Sequence, residues 1–269
     1  MRYKNLKSNW AAKSFWSLND EMHSEYKATF VREIDATPLD VVRNNNLLAS
    51  GLRPSYTALI VQAVAKILTE FPVANRAILG PFFWKRIVQF TDIDITVAIE
   101  KGIEGAEAVV LAHTIRSCDS RSVAEITTDL QAALKTETDR WQLFSRVLNH
   151  VPPVICKWLL RAAVFFPGQW IQHRGGACFV NSPAKYGVDF IIADMLWPLT
   201  FTFGQVKQRP IVIGGKVEAR RTIPLTMIFD RRIMQGAIAA RIFNRYCELL
   251  ECNAQPLIDC QYPPVYEPT

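Results

Sequence analysis

Apolar and polar positions alternate along this chain with two periods, and each period marks out its own elements. Residues 55–71 carry Leu59, Ile60, Ala63, Val64, Ile67 and Leu68 at helical spacing, a one-sided stripe that Pro72 closes. Residues 122–135 read as a second amphipathic helix. Two-residue alternation over 93–99 predicts a half-buried strand, and a connection containing Gly102 and Gly105 leads to another apolar strand at 108–113. Residues 27–34 are strand-like. Thr37-Pro38-Leu39-Asp40 follows as a helix start in which the Thr37 hydroxyl caps, proline occupies the first turn and the acid faces the dipole. Residues 210–223 read as a hairpin about Gly214-Gly215. Residues 225–229 then form an apolar strand that stops at a charged turn and runs into a helix over 236–251.

Composition narrows the class without naming a function. With 269 residues, 49% of them hydrophobic and 21% charged, the chain can bury a substantial core. A formal charge of +6 suits an anionic partner such as a nucleotide phosphate, a carrier protein or a lipid surface, and suits an ordinary basic protein equally well. No nucleic-acid motif accompanies the charge, so nucleic acid is not an expected partner. The six cysteines form no Cys-x-x-Cys pair and the four histidines are dispersed, so neither a metal site nor a disulfide framework is expected. No apolar stretch follows the charged N-terminus, and a cytoplasmic location is the expectation, with a peripheral membrane association as an addition to it. The expected organisation is an N-terminal arm over 1–24, a core domain over 25–252 and a tail over 253–269.

The charged turn is where chemistry is expected. Asp230-Arg231-Arg232-Ile233-Met234-Gln235-Gly236-Ala237 resembles the Asp-His-Arg-x-x-Asp/Asn-Gly-Ala motif of the acyltransferase family that joins chloramphenicol acetyltransferase to the dihydrolipoyl acyltransferase cores of 2-oxo acid dehydrogenase complexes. Pro54-Ser55-Tyr56-Thr57-Ala58-Leu59-Ile60, with Glu70-Phe71-Pro72 and Asn75, is similar to a helix of the same cores. Ser122-Val123-Ala124-Glu125-Ile126 matches their Ser-Leu-x-Glu-Ile helix, and residues 175–187 resemble their Gly-x-Phe-Thr-Ile-Ser-Asn-Leu-Gly strand. The resemblance spans about 27–251 and implies an α/β fold, a mixed sheet with packed helices, assembled as a homotrimer. It also implies active sites at subunit interfaces, entered by an acyl thioester of coenzyme A or of an acyl carrier protein's phosphopantetheine, with no covalently bound cofactor.

In that frame Arg231 stands where the family has its general-base histidine, and a guanidinium offers no lone pair to take a proton. Gln235 stands at the Asp/Asn position. Aligned without gaps, the family's oxyanion-stabilising serine falls on Asn181, with Ser182 one residue later. Asp230, Arg232 and Gly236 retain the frame, either shaping the loop for catalysis or holding a structural turn. Arg231 either is a solvated residue on a retired site or grips an anion such as a phosphate or carboxylate. Among substitute bases, His113 at a strand end comes first and His150 and His173 after it. Cys178, in an apolar strand, reads as inert.

One stretch departs from the dehydrogenase cores. Residues 141–170 carry an apolar helix between Pro153 and Pro167, too short to span a bilayer, which takes about 20 residues, and interrupted by Lys157 and Arg161. Trp158, Leu159, Val164, Phe165 and Phe166 read as a hydrophobic cover over a cavity, as a membrane-facing surface, or as a docking surface for another protein. No lipoyl domain precedes the core in this sequence, which suggests a standalone protein. The functional expectation is an acyl-thioester-binding protein with degenerate or unconventional transfer chemistry. The alternatives are a non-catalytic trimeric scaffold or regulatory subunit, and a peripheral membrane module.

Overall fold

The computed structural model describes residues 24–101, 109–135 and 150–251. Residues 1–23 of the expected arm, the Gly102 and Gly105 connection, the first part of the insert and the 253–269 tail lie outside them. The first half of the chain supplies β1 (Lys27–Asp35), α1 (Thr37–Ser50), α2 (Tyr56–Glu70), β2 (Arg76–Leu79), β3 (Arg86–Gln89), β4 (Ile95–Lys101), β5 (Val109–Ile115) and α3 (Val123–Lys135). The second supplies α4 (Pro153–Phe165), α5 (Pro167–Arg174), β6 (Cys178–Asn181), β7 (Leu199–Phe203), β8 (Lys207–Ile213), β9 (Lys216–Asp230) and α6 (Gly236–Glu251).

The expected mixed sheet with packed helices is present, in the order β1-β9-β7-β6-β4-β5, with β8 paired to the first half of β9 and β2–β3 forming a separate hairpin. β6 runs parallel to both β4 and β7, and the other neighbours are antiparallel. The Gly214-Gly215 hairpin joins β8 to β9 with both glycines at positive φ, 56° and 81°, as a tight two-residue turn requires.

Helix α2 is buried more completely than its periodicity predicts. Every residue from Ala58 to Leu68 is buried, not one stripe of them, because α3 and α6 pack against the helix while the sheet core closes the remaining side. Its start is capped by Ser55, whose Oγ accepts from the Ala58 N–H at 3.0 Å. A bidentate pair from Arg245 of α6 to Glu70, at 2.9 and 3.1 Å, ties off its other end. The cap expected of Thr37 is a correction: Thr37 is itself the first helical residue of α1, and the Asp35 carboxylate accepts its N–H at 2.8 Å. Asp35 ends a strand and so has the extended geometry from which a side chain reaches forward. The expected 122–135 helix is present and opens on a reciprocal capping box: the Ser122 N–H donates to Glu125 at 2.8 Å and the Glu125 N–H to the Ser122 hydroxyl at 3.2 Å.

Residues 199–203, Leu-Thr-Phe-Thr-Phe, alternate apolar and polar as a half-buried strand does, yet β7 is buried at all five positions. The main helical core holds Leu199, Phe201 and Phe203. A second apolar cluster, in which Phe179 stacks on Trp197 at 4.4 Å and is joined by Trp170 of α5 and Leu79 of the hairpin, lies apart from that core. The threonine face, Thr200 and Thr202, is buried as well as the apolar one, so the alternation by itself does not report a covered second face. After β7 the chain turns at Gly204, where a Cβ would lie 1.7 Å from the Asp189 carbonyl oxygen.

Three buried side chains, Gln62, Thr200 and Tyr246, carry polar atoms with no hydrogen-bond partner among the described residues, and Gln62 has two of them. Both amide atoms of Gln62 are buried and make no hydrogen bond among the described residues. An unpaired buried polar group costs about 1–3 kcal/mol. Gln62→Leu is therefore expected to raise stability by about that amount, read as a higher urea midpoint at unchanged slope.

Candidate functional site

The last residues of β9 enter the charged turn along a path fixed on both edges. β9 pairs with β1 down to Lys27↔Asp230 and with β7 down to Phe229↔Leu199, and the Asp230 N–H then donates to the Pro198 carbonyl at 2.9 Å. Beyond it the Arg231 N–H donates to the Tyr26 carbonyl at 2.8 Å, while the Ile233 and Met234 N–H groups return to the Asp230 carbonyl at 3.1 and 3.2 Å. Met234 is buried beneath the turn, and α6 starts at Gly236, where an added Cβ would meet open space.

Asp230 is buried and its carboxylate organises the turn. Oδ1 accepts the Arg232 N–H at 2.9 Å and Oδ2 accepts Arg232 Nη2 at 2.6 Å, with Nε shared between the two oxygens. The guanidinium of Arg232 also lies 4.2 Å over the Tyr26 ring. The Asp230 hydrogen bonds raise the Arg232 pKa, partly opposed by burial. Lys27 adjoins this pair and donates its Nζ to the Met195 carbonyl and, at 3.3 Å, to that of Trp197. Burial lowers the Lys27 pKa, and the carboxylates of Asp194 and Asp230 work against that shift.

Arg231 has none of these attachments in its side chain. It is exposed, and its guanidinium has no hydrogen-bond or ion-pair partner among the described residues. Gln235 is likewise exposed. The arrangement is a turn held by Asp230, Arg232, Lys27 and Tyr26 that presents a free cation at its outer surface, next to the N-terminus of a 16-residue helix. Such a turn attracts anions. It cannot accept a proton through Arg231.

The other family-matched positions lie elsewhere in the chain. Asn181 pairs across β7 with Thr202, which pairs with Thr226, four residues before Asp230. That is about 13 Å along the strand and about 10 Å across two strand spacings, about 16 Å in all. Asn181 and Arg231 therefore do not meet within one chain. The Asn181 side chain is partly exposed and makes no hydrogen bond among the described residues, leaving its amide free to donate. Ser182 differs: its hydroxyl donates to the Phe203 carbonyl at 2.9 Å and accepts the Ala184 N–H at 3.2 Å, which commits it to a turn.

No described histidine joins the turn. His113 lies on β5, the far edge of the sheet, with Nε2 2.9 Å from Asp129. His173 faces Gln169 on α5, at 3.1 Å, and His150 lies just before α4. The fourth histidine, His23, is outside the described residues. Burial pushes the Cys118 thiol up to about 12 and that of Cys178 well above its ordinary value, which leaves both protonated. Lys27 and Tyr26 carry no local sequence signal, since they meet the turn only through pairing across some two hundred residues.

Of the insert, Val164 packs toward the second apolar cluster and Phe165 is partly buried, stacking on Trp158 at 6.4 Å, while Trp158, Leu159 and Phe166 face outward. Away from the insert, an open groove of about 390 Å³ lies between β1 and α6, lined by Phe30, Arg32, Phe243 and Asn244 among others.

The chain is similar to known proteins over most of its length. The family described as 2-oxoacid dehydrogenases acyltransferase (catalytic domain) matches residues 11–141 and 172–258. The chain is 23% identical over 204 residues to a dihydrolipoyllysine-residue acetyltransferase component of the pyruvate dehydrogenase complex from Acholeplasma laidlawii, covering 75% of this chain and 31% of that protein. It is 22% identical over 226 residues to a lipoamide acyltransferase component of the branched-chain alpha-keto acid dehydrogenase complex from Bacillus subtilis, covering 81% and 45%. The chain thus spans less than half the length of these curated relatives. Among solved structures, a probable dihydrolipoamide acetyltransferase from Listeria monocytogenes has a TM-score of 0.64 at 20% identity, covering 94% of this chain and 97% of that one. The cubic core of the pyruvate dehydrogenase multienzyme complex has a TM-score of 0.67 at 16% identity, covering 93% and 92%. At these identities the structural likeness speaks to the fold.

The geometry separates two neighbouring residues. Asp230→Ala, which strips a buried acceptor from Arg232, is expected to cost about 2–3 kcal/mol, the lower part of the range for broken charged pairs because Arg232 can turn to water. Arg231→Ala is expected to stay within about 0.5 kcal/mol of the parent. Chemical denaturation of the two variants measures both.

Proposed function

Because the chain belongs to the 2-oxoacid dehydrogenase acyltransferase family of catalytic domains, we propose that it binds an acyl thioester between subunits of a homotrimer and does so without a conventional general base. The thioester would be carried by coenzyme A or by an acyl carrier protein. The observation that carries this reading is the turn itself: hydrogen bonds between Asp230 and Arg232 hold it, and the side chain it presents is a guanidinium with no partner among the described residues.

A guanidinium in that position suits the anionic parts of such a ligand, since it binds phosphate or carboxylate with two parallel hydrogen bonds. The amide of Asn181 can donate to a thioester carbonyl or to the oxyanion formed from it. By the strand register Asn181 lies about 16 Å from Asp230, the residue before Arg231, in one chain. A site using both needs a second copy to bring its Asn181 to the turn, which supports the trimer. Transfer by this site would fall to an acceptor that needs no deprotonation or to a base from outside the described residues.

A second reading, a non-catalytic trimeric scaffold, draws on one further observation. The Ser182 hydroxyl is committed to the Phe203 carbonyl, and the described histidines lie away from the turn. Relaxed chemistry on a retained architecture would leave that pattern.

Thermal shift and free-thiol release, followed together across acyl-CoAs of increasing chain length, test the proposal. The expected result is stabilisation by thioester, about 2.7 kcal/mol at a hundredfold excess over Kd. Arg231→Ala should weaken binding about tenfold. With dihydrolipoamide as acceptor, where one thiol is consumed for each released, Arg231→His should raise the formation of free coenzyme A, followed by chromatography, about 10²-fold or more over the parent, by restoring a proton acceptor. Absence of a shift with every thioester would sink the binding reading and leave the scaffold.

A further inference from the structure

The family match runs through residue 141 and resumes at 172, so α4 and the first residues of α5 belong to this chain's own elaboration and not to the shared core. α4 is apolar nearly all round, yet its contacts with the body go through small residues. Cys156 and Ala163 are buried on its inner face, while Trp158 is 62% exposed and Leu159 51% exposed on its outer face. Phe166, at the break into α5, is 62% exposed. The tip of the β2–β3 hairpin is joined to this helix by the Gly80 N–H, which donates to the Val164 carbonyl at 2.9 Å. There Trp84 is 77% exposed, beside the exposed Lys85 and Arg86. Large aromatic and aliphatic side chains standing in water on two adjoining elements mark a docking surface.

The charge around this surface selects its occupant. Between Arg140 and Val188 there is no Asp or Glu, and none between Phe71 and Thr91. The same two stretches carry Lys85, Arg86, Lys157 and Arg161, basic groups whose long stems can lie along an apolar layer while their heads reach anions. A second copy presenting the same face would set cation against cation. α4 has 13 residues and no described helix is long and apolar enough to cross a membrane, so the helix can lie in an interface but not span it.

We infer that α4 and the β2–β3 tip form a docking surface for an anionic phospholipid bilayer, with Trp158, Leu159 and Trp84 entering the headgroup boundary and Lys85, Arg86 and Arg161 meeting lipid phosphates. The surface is independent of the Arg231 turn and stands whether or not the chain binds thioesters.

Co-sedimentation of the full chain with phosphatidylcholine vesicles containing 30 mol% phosphatidylglycerol, against pure phosphatidylcholine, tests it. Binding is expected only to the anionic vesicles, with a blue shift of tryptophan fluorescence and weakening at high salt. Trp158→Ala/Leu159→Ala and, separately, Lys85→Glu/Arg86→Glu should each reduce the partition coefficient at least tenfold, with unchanged thermal midpoint and oligomeric mass. Failure of the parent chain to sediment would overturn the proposal. So would retained binding by both variants at the parent's level. A change of oligomeric mass in the Trp158/Leu159 variant would overturn it too, by assigning the face to a contact between copies.

Discussion

The second half of β9 is the constraint on which the rest of the molecule depends. From Ile223 to Asp230 it is buried at every position, with β1 along one edge and β7 along the other. A strand so enclosed has one register, since a slip of one residue would turn its side chains to the wrong layer. Its end is therefore a fixed point in space. Asp230 carries that fixity one residue beyond the sheet, where its buried carboxylate folds the Arg232 backbone and guanidinium back upon it.

This construction lets the side chain at position 231 vary without the turn losing its shape. Each group that holds it, Asp230, Arg232, Lys27 and the Tyr26 carbonyl, acts without help from the side chain at 231. Position 231 contributes a backbone N–H to the framework and leaves its side chain free. A substitution there changes what the turn presents and almost nothing of what the turn is. Chemistry and architecture are separable in this loop because different atoms of the same residue serve them.

The insert shows a related separation on a larger scale. α4 adheres through Cys156 and Ala163, through Val164 against the second cluster, and through the Gly80 link to the hairpin, while its bulkier residues look away from the body. Burying those side chains would have released more free energy than burying the small ones. Their outward placement is the feature that a packing account alone leaves unexplained, and an interfacial role supplies the explanation.

Local chemistry alone determined much of this protein. Helical spacing delimited α2 and α3, and the Gly214-Gly215 pair set the β8–β9 hairpin, since each depends on residues a few positions apart. The Asp230–Arg232 turn was legible for the same reason. Contacts between distant segments were not legible. Only the tertiary structure buried α2 on every side, made β7 a fully covered strand, brought Lys27 and Tyr26 to the turn, and set Asn181 about 16 Å from it. A sequence pattern records which face of an element is apolar. What lies against the other face, and which strand end stands beside which turn, is decided by pairing across the whole chain.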